Sequence, residues 1–521
     1  MAGIGASRIF KERHKIILFM RSLFQCFNIF LLCLVSLAVA AQPAAVVDIA
    51  RGCSLASLKK DLYFLASPQL EGRQIGTKGD TLTAEYVAAA FQKANLAGPY
   101  NGSYFQPVIA QKKTAQVDLY INKKHFERYD GWWLYPLTPV SVKDAPVVFG
   151  LFTVDEVSRY VKTHDVKGKV ICVPGKAMRK AIQDNIGDSL ESVWKTHGIA
   201  AVLMYNAALS QTIAQIRMYQ LPPEFRNKEL EEYEGVPAAD DPRLVHEISL
   251  TPQRMNELLA GDKLSLNDDE SLRTPLSSPI ILKNKLGFSY SEKFDPVQAV
   301  NVIGIFKGTD TTLSPVVLSA HHDHQGIVNK QLYPGAVDNA SGTVAIMEIA
   351  RMLDQAAAKG YRPKRTILFG SWTGEEKGMI GSFWYVNHPV YPVKETHAVL
   401  NIDMLGRVDT FYSGRRPDSN YAYILVMDSV KGFRNDLLKA NDALTHLKLD
   451  TYYERPENMR RRLLGSDQFP FWQQGVPFVR IDCGFAKDYH KPTDTPDKIN
   501  YPLLTEQTKL TFLTLWNMAD R

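Results

Sequence analysis

Leu318-Ser319-Ala320-His321-His322-Asp323-His324-Gln325-Gly326 is the stretch on which the rest of the chain turns. An apolar run from Pro315 to Ala320 ends abruptly in histidines and a carboxylate. A strand whose end enters a polar site has this form. Just downstream, Gly335-Ala-Val-Asp338-Asn339-Ala-Ser-Gly342 leads into a helical pattern over Ser341–Ala358. Strand, polar turn and helix thus follow in quick succession, and the polar turn reads as a metal site.

The alternation extends outward. From about Pro279, apolar runs at Ala299–Phe306, Pro315–Ala320, Arg365–Trp372, Ala398–Met404, Tyr423–Met427 and Val476–Cys483 predict strands, with helices at Ser341–Ala358, Gly381–Asn387 and around Lys431–Leu447. This is the pattern of an α/β fold. Toward the N-terminus, Leu58–Leu65 has helical spacing, and Ala84, Val87, Ala88, Phe91 and Ala94 fall on one stripe of a helix over Thr81–Ala94. Between them, Arg73 and the glycines around it read either as a structural turn or as site lining. Residues 136–278 differ in character: Gly168-Lys169-Val-Ile-Cys172-Val and His197-Gly198-Ile-Ala-Ala-Val-Leu-Met-Tyr205 each feed a short buried strand, and neither carries a cluster of ligands.

With 521 residues, two to four domains are expected. The net charge of +6 looks basic, but the first 41 residues hold Arg8, Lys11, Arg13, Lys15 and Arg21 against Glu12, so the remainder carries only +2. That gives no ground for nucleic acid as a partner. The same residues form a basic start, an apolar run from Leu23 to Leu37 and a small-residue site at Ala38-Val-Ala40-Ala41, the pattern of a cleaved signal peptide over 1–41. An uncleaved anchor is the rival reading, because the run approaches the ~20 residues of a spanning helix; Gln25, Asn28 and Ser36 interrupt it. Export to the periplasm or the extracellular space is expected, with no stable membrane partner after cleavage. Cys53, Cys172 and Cys483 remain, too widely separated for a disulfide framework, and read as buried thiols.

In open α/β sheets ligands gather beyond the carboxyl ends of strands. Those ends supply His321 and Asp323, then Asp338, Glu375 and Glu376, Asp403, and Tyr489 with His490. Imidazole with carboxylate suits zinc. So many ligands exceed one catalytic zinc with an open position, and two metals ~3.5–4 Å apart sharing a carboxylate resolve the excess. Taken singly, each residue has a plainer reading: Asp338 as a helix cap, the Glu pair as a solvated helix start, His490 as an ordinary surface or core residue.

Together, His321-x-Asp323, Gly335-Ala-x-Asp338-Asn339-Ala-Ser-Gly342, Gly374-Glu375-Glu376-x-Gly378-x-x-Gly381-Ser382, Asn401-Ile-Asp403-Met-x-Gly406 and Tyr489-His490-x-Pro-x-Asp494-Thr495 resemble metallopeptidase family 28, the co-catalytic di-zinc aminopeptidases. The resemblance implies the zinc-exopeptidase fold, a mixed, mostly parallel central sheet flanked by helices, formed by 42–135 and the catalytic 279–521. Residues 136–278 would be an inserted smaller β-rich domain, similar to the protease-associated domain. It further implies two Zn2+ per chain: His321 and Asp403 on one, Glu376 and His490 on the other, Asp338 bridging. Glu375 would be the general base, Asp323 would fix the tautomer of His321, and Tyr489 would face the developing oxyanion.

His322, on the opposite face of the strand end from His321, reads as structural and His324 as pocket lining. Gln468 stands where the family often has histidine. The run Arg460-Arg461-Arg462 reads as a contact for a peptide carboxylate or as a solvated basic loop. The function implied is a secreted aminopeptidase acting on peptides with a free N-terminus. The alternatives are a one-zinc glutaminyl cyclase, a carboxypeptidase or dipeptidase, and a non-catalytic binding homologue; Asn339 after Asp338, where cyclases tend to carry Ser, favours the peptidase.

Overall fold

Val316–His321 pairs in parallel with Ile367–Trp372 on one side and Ala398–Ile402 on the other, and Phe478–Asp482 continues the parallel run beyond Ala398–Ile402. Every residue of these four strands is buried. Strands covered on both faces read as continuous apolar runs, which is why the sequence marked them clearly. Side chains alternate between two cores: Val316, Leu318 and Ala320 face one and Val317 the other. The computed structural model describes residues 43–127, 129–135, 139–183, 194, 196–211, 225–226, 245–410, 419–427 and 432–521. The expected signal peptide lies outside them, and no helix among the described residues is long and apolar enough to cross a membrane.

The sheet has eleven strands and is mixed. The parallel centre extends antiparallel through Tyr421–Met427 at one side and through Leu286–Phe306 and Phe105–Ile121 at the other. The expected parallel pairing therefore holds in the centre, while both flanks are largely antiparallel. Helices cover both faces. Ser341–Ala358 and Tyr501–Ala519 lie in the larger core with Leu55–Leu65 and Lys78–Lys93; Ile380–Asn387 and Gln468–Gln473 contribute to the other. Tyr501–Ala519 is buried nearly all round although it contains four threonines. Thr505, Thr508, Thr511 and Thr514 each donate a hydroxyl hydrogen bond to the carbonyl one turn back, which satisfies them inside the core.

Two elements stand where none was expected, and a third is shorter than expected. The segment before Leu55 is a helix, Ala44–Arg51, that buries Val46, Ile49 and Ala50 at helical spacing. The helix expected around Lys431–Leu447 runs over Phe433–Ala440 and closes in a wider turn at Asn441–Thr445; Lys431 lies outside the described residues. Phe105–Ile121 forms a long strand paired residue for residue with Leu286–Phe306, from Phe105 opposite Val302 to Ile121 opposite Leu286.

The far end of that ribbon carries a second, six-stranded sheet. Val147–Phe149, Val170–Pro174, Ala201–Tyr205 and Glu247–Leu250 are parallel, with Trp132–Tyr135 and Ile280–Ile281 as antiparallel edges. The sheet thus begins and ends outside the 136–278 span drawn from sequence. Its core includes Val117, Leu119, Phe288 and Tyr290 of the ribbon itself. Cys53, Cys172 and Cys483 are buried free thiols, and burial pushes the Cys53 thiol up to about 12.

Arg73 decides how the N-terminal segment meets the sheet. It is wholly buried and donates to the carbonyls of His322 (2.9 Å), Pro334 (2.7 Å) and Gly335 (2.8 Å), and also to that of Leu65. Burial pulls its pKa down to about 10, opposed by Asp323, Asp494, Asp338 and Glu376. Next to it, Gly72 has φ +71°, and a Cβ there would lie 2.5 Å from the Tyr333 carbonyl oxygen, so only glycine lets this turn press against the site loop. Arg73 is a structural clamp under the site. Arg73→Met should lower the unfolding free energy by about 3 kcal/mol, because it strands buried carbonyls. Urea unfolding measures this, and a loss below ~0.5 kcal/mol, the range of an ordinary surface change, would contradict the clamp.

Candidate metal centre

The strand order reverses at Val316–His321: the next sheet strand in sequence, Ile367–Trp372, lies to one side of it and the one after, Ala398–Ile402, to the other. Such a switch point opens a crevice at the carboxyl ends. His321 ends the first strand, Glu375 and Glu376 sit in the short turn Glu375–Lys377 after the second, and Asp403 directly follows the third. His490 comes from the loop after Phe478–Asp482, and Asp338 from the turn before Ser341–Ala358.

The turn holding Asp338 is tied down from both sides. Asp494 accepts hydrogen bonds from the backbone N–H of Val337 (3.0 Å) and of Asp338 (3.3 Å). Asn339 donates to the Ile402 carbonyl (3.0 Å) and accepts from the Met404 N–H (3.1 Å), linking the Asp338 turn to the strand end that bears Asp403. Burial pushes the Asp494 carboxyl up to about 6. Asp494 and Asn339 belong to the motifs, but the bare pattern did not reveal that both hold one turn.

The resulting cluster is tight. His321 Nε2 lies 3.4 Å from Asp338 Oδ1, 3.4 Å from Asp403 Oδ1 and 3.8 Å from Glu375 Oε2. His490 Nε2 lies 3.0 Å from both Asp338 Oδ2 and Glu376 Oε2. Asp338 therefore turns one oxygen toward each imidazole. His321, Glu375 and Asp403 offer donor atoms within 4.8 Å of one another, as do His324, Asp338 and Glu376. The first group was expected with Asp338 in place of Glu375, and the second with His490 in place of His324. Both histidines face Glu376, His324 through Nδ1 at 2.6 Å from Oε1.

These groups are buried and incompletely satisfied. His321 Nε2, Asp403 Oδ1 and His324 Nε2 have no hydrogen-bond partner among the described residues, and the 2.6 Å ion pair of His324 Nδ1 with Glu376 Oε1 lacks hydrogen-bond alignment. Orphaned buried donors and acceptors are costly unless something else fills them. Convergent imidazole and carboxylate atoms without a thiolate fit zinc. Electrostatics without a metal reflect the crowding. Burial opposes charge on His321 and on His490, but the surrounding carboxylates, Glu375 foremost for His321 and Glu376 for His490, hold both pKa values well above the usual imidazole range. Burial raises Glu375 well above the normal carboxylate range, while His490 and His324 outweigh burial at Glu376 and hold it well below.

Around the cluster the expected helpers separate. The Asp323 carboxylate is 3.5 Å from His321 Nδ1, but the closer contact of that nitrogen is the Asp323 backbone carbonyl at 3.2 Å. The carboxylate instead accepts the backbone N–H of Glu375 (3.0 Å) and of Glu376 (3.4 Å), so it orients the Glu-Glu turn as well as the histidine. His322 points away, to Asp80 (3.3 Å) and Ser371 (2.9 Å), in the structural role expected of it. Tyr489 stacks on His490 with ring centroids 3.8 Å apart and lines a cavity of about 90 Å3 beside Asp338, Glu375 and Asp403. Burial, followed by these carboxylates, holds its phenol well above 10, so it stays a donor. Gln468 is buried and structural: it donates to the carbonyls of Arg462 and Leu463 and accepts from Asn401, each at 2.9 Å.

Sequence reasoning missed Arg480, which donates to Asp403 Oδ2 at 2.9 Å. The one available signal was an arginine, two residues from Asp482, inside a largely apolar run. It also read the arginine run as one unit. On the helix Pro456–Leu464, Arg460 is exposed while Arg462 is buried against the cavity.

Among curated sequences, the probable glutamate carboxypeptidase VP8 of Zea mays is 30% identical over 216 residues, 40% of this chain and 28% of that protein. The aminopeptidase NAALADL1 of Mus musculus is 37% identical over 106 residues, 20% of this chain and 13% of that protein. The chain thus spans under a third of the length of these relatives. Among solved structures, the aminopeptidase from Aneurinibacillus sp. strain AM-1 aligns with TM-score 0.52 at 18% identity, over 90% of this chain and 95% of that one. BSAP, a zinc aminopeptidase from Bacillus subtilis, aligns with TM-score 0.51 at 17% identity, over 89% and 95%. These structures share the fold. Residues 301–514 match the sequence model of Peptidase family M28. That segment carries every carboxylate and imidazole of the cluster, so the part of the chain that builds the site is similar to peptidase family M28.

Proposed function

We propose that the chain is a secreted two-zinc aminopeptidase that releases N-terminal residues from peptides. His321 and Asp403 would hold one zinc, Glu376 and His490 the other, and Asp338 would contribute to both. The observation that carries this reading is the Asp338 carboxylate, with one oxygen 3.4 Å from His321 Nε2 and the other 3.0 Å from His490 Nε2. Bound zinc supplies Lewis acidity toward the scissile carbonyl and the attacking water. Glu375 takes the proton from that water and passes it to the leaving amine, a task suited to a carboxylate whose pKa burial has raised. Tyr489 donates to the carbonyl oxygen as charge develops there. The acidic rim receives the free α-amino group. Export rests on the basic and apolar pattern of residues 1–41, and the unit on the second sheet is read as a protease-associated module.

Carboxypeptidase action is the second reading, favoured by the name of the maize relative. Aminoacyl peptides and N-blocked peptides assayed with and without a chelator decide between them. Cleavage of the free-amine set alone, abolished by the chelator, is expected; cleavage of only the blocked set would reverse the polarity. About two zincs per chain separates the peptidase from a one-zinc cyclase.

Two predictions concern the metal directly. In the metal-free protein the facing carboxylates hold the pKa values of His321 and His490 well above the usual imidazole range and so favour their protonated forms. They must lose that proton to ligate, so zinc uptake at pH 7 should release protons and zinc affinity should climb with pH until both raised pKa values are passed. Calorimetry in buffers of different ionisation enthalpy reads the release, and uptake without protons would contradict imidazole ligation. His324 braces Glu376 through its 2.6 Å contact. His324→Ala should therefore weaken zinc binding at one of the two positions by about 10–100-fold, read by competition with a chromogenic chelator. An unchanged affinity would make His324 mere lining.

A further inference from the structure

His490 is held unlike the other proposed ligands. Its side chain is 33% exposed, whereas those of His321, Asp338, Glu376 and Asp403 are at most 7% exposed. Its backbone has φ +51°, in the left-handed region that a residue with a side chain adopts when its surroundings impose it. A ligating imidazole is ordinarily oriented through its second nitrogen. His321 Nδ1 has the Asp323 carbonyl at 3.2 Å, but no hydrogen bond among the described residues reaches Nδ1 of His490. The ring is therefore placed by its stacking on Tyr489 and by the backbone of its own loop.

One carboxylate closes that loop. Asp488 Oδ1 accepts from Thr493 Oγ1 (2.6 Å) and from Lys498 Nζ (2.9 Å), which joins the chain on either side of His490. Lys498 Nζ also donates to the Thr493 carbonyl at 2.6 Å. The other oxygen, Asp488 Oδ2, accepts from Arg407 Nη2 at 2.6 Å, and both of these residues are buried. A charge-assisted bond of this kind is strong and fixes direction as well as distance. Arg407 stands four residues after Asp403. Its neighbour Gly406 is pinned on both sides: the N–H donates to Gln507 Oε1 (2.8 Å) and the carbonyl accepts from the Asn500 N–H (2.8 Å).

We infer that Arg407 is a positioning residue for the second zinc: through Asp488 it holds the turn that presents His490 and ties that loop to the strand end bearing Asp403. Without this anchor the left-handed residue is free to relax, and its imidazole leaves the 3.0 Å contacts with Asp338 and Glu376. The inference rests on the two-zinc reading above and deepens it, because it names what couples a loop ligand to the strand-borne half of the centre.

The test titrates the metal-free full chain with zinc against a chromogenic chelator, which needs no substrate. Arg407→Met and Asp488→Asn should each weaken one of the two zincs by about 10–100-fold and leave the other unchanged. Arg407→Lys, which keeps the charge, should recover part of the loss. A general loosening of the fold would weaken both zincs instead. In a His490→Ala background Arg407→Met should cost nothing further, since the arginine acts through that imidazole. Two wild-type zinc affinities in Arg407→Met, an equal loss at both positions, or a full additional loss in the His490→Ala background would each overturn the inference while leaving the two-zinc centre standing. If these variants fail to fold, Lys498→Met, at a partly exposed position, removes one donor to Asp488. It should weaken the same zinc by a smaller factor, and unchanged affinity there also overturns the inference. A wild-type chain that takes up fewer than two zincs ends the two-zinc reading and this role together.

Discussion

Replacing Glu375 by Gln is expected to lower kcat on aminoacyl substrates by about 10²–10⁴-fold while both zincs stay bound. Glutamine keeps the length and planarity of the side chain, so the cavity it lines keeps its shape. What is lost is the ability to accept and return a proton. Burial, reinforced by Asp403 and Asp467, favours the protonated form of Glu375, and His321 opposes it. A carboxylate under these opposing pulls can hold a proton between attack on the carbonyl and departure of the amine. Because Glu375 is not among the proposed ligands, metal content should match wild type. A zinc-replete Glu375→Gln protein with near-wild-type kcat would remove the general base from the mechanism.

Asp338→Asn should act on the metals themselves. Asparagine keeps the shape but has one acceptor oxygen where the carboxylate has two, and the two oxygens of Asp338 face different imidazoles. The bridge is therefore lost, and zinc content should fall by at least about one per chain, with kcat/KM down by about 10³-fold or more. A readout independent of activity comes from linkage. Zinc at 100 times its dissociation constant stabilises a folded chain by about 2.7 kcal/mol, which appears as a rise in Tm on zinc addition. In Asp338→Asn that rise should shrink. Wild-type zinc content and an undiminished rise in Tm would show that the two half-sites do not share this carboxylate.

Much of this was legible in the sequence because of one coincidence of physics. Parallel strands buried on both faces announce themselves as largely apolar runs, and their carboxyl ends are where ligands converge, so His321, Glu375, Glu376 and Asp403 each stood at or just beyond the end of such a run. The ribbon strand Phe105–Ile121 was not legible. Its middle is only partly buried and includes Lys112, Lys113 and Gln116, and its partner lies far along the chain. Arg73 was ambiguous because the carbonyls it clamps are defined only once Leu65, His322 and Pro334 meet. Arg462 and Arg460 could not be told apart without the facing of their helix, since two residues of separation turn one inward and leave the other in solvent.

The ribbon also bears on how the chain reaches its fold. Ile121 and Leu286 face each other at its far end, so residues 122–285 leave and re-enter the ladder at a single rung. Zipping from that rung before 122–285 are ordered means closing a very long flexible loop, and pairings of such sequence separation form slowly. If the second sheet folds first, the same residues become a preformed hairpin turn that delivers the two strands in register. Assembly of the ribbon, and of the sheet edge it completes, is then expected to wait on that unit. Substitutions in its core, such as Leu203→Ala, should slow refolding of the whole chain although they lie in a different hydrophobic core from the metal cluster.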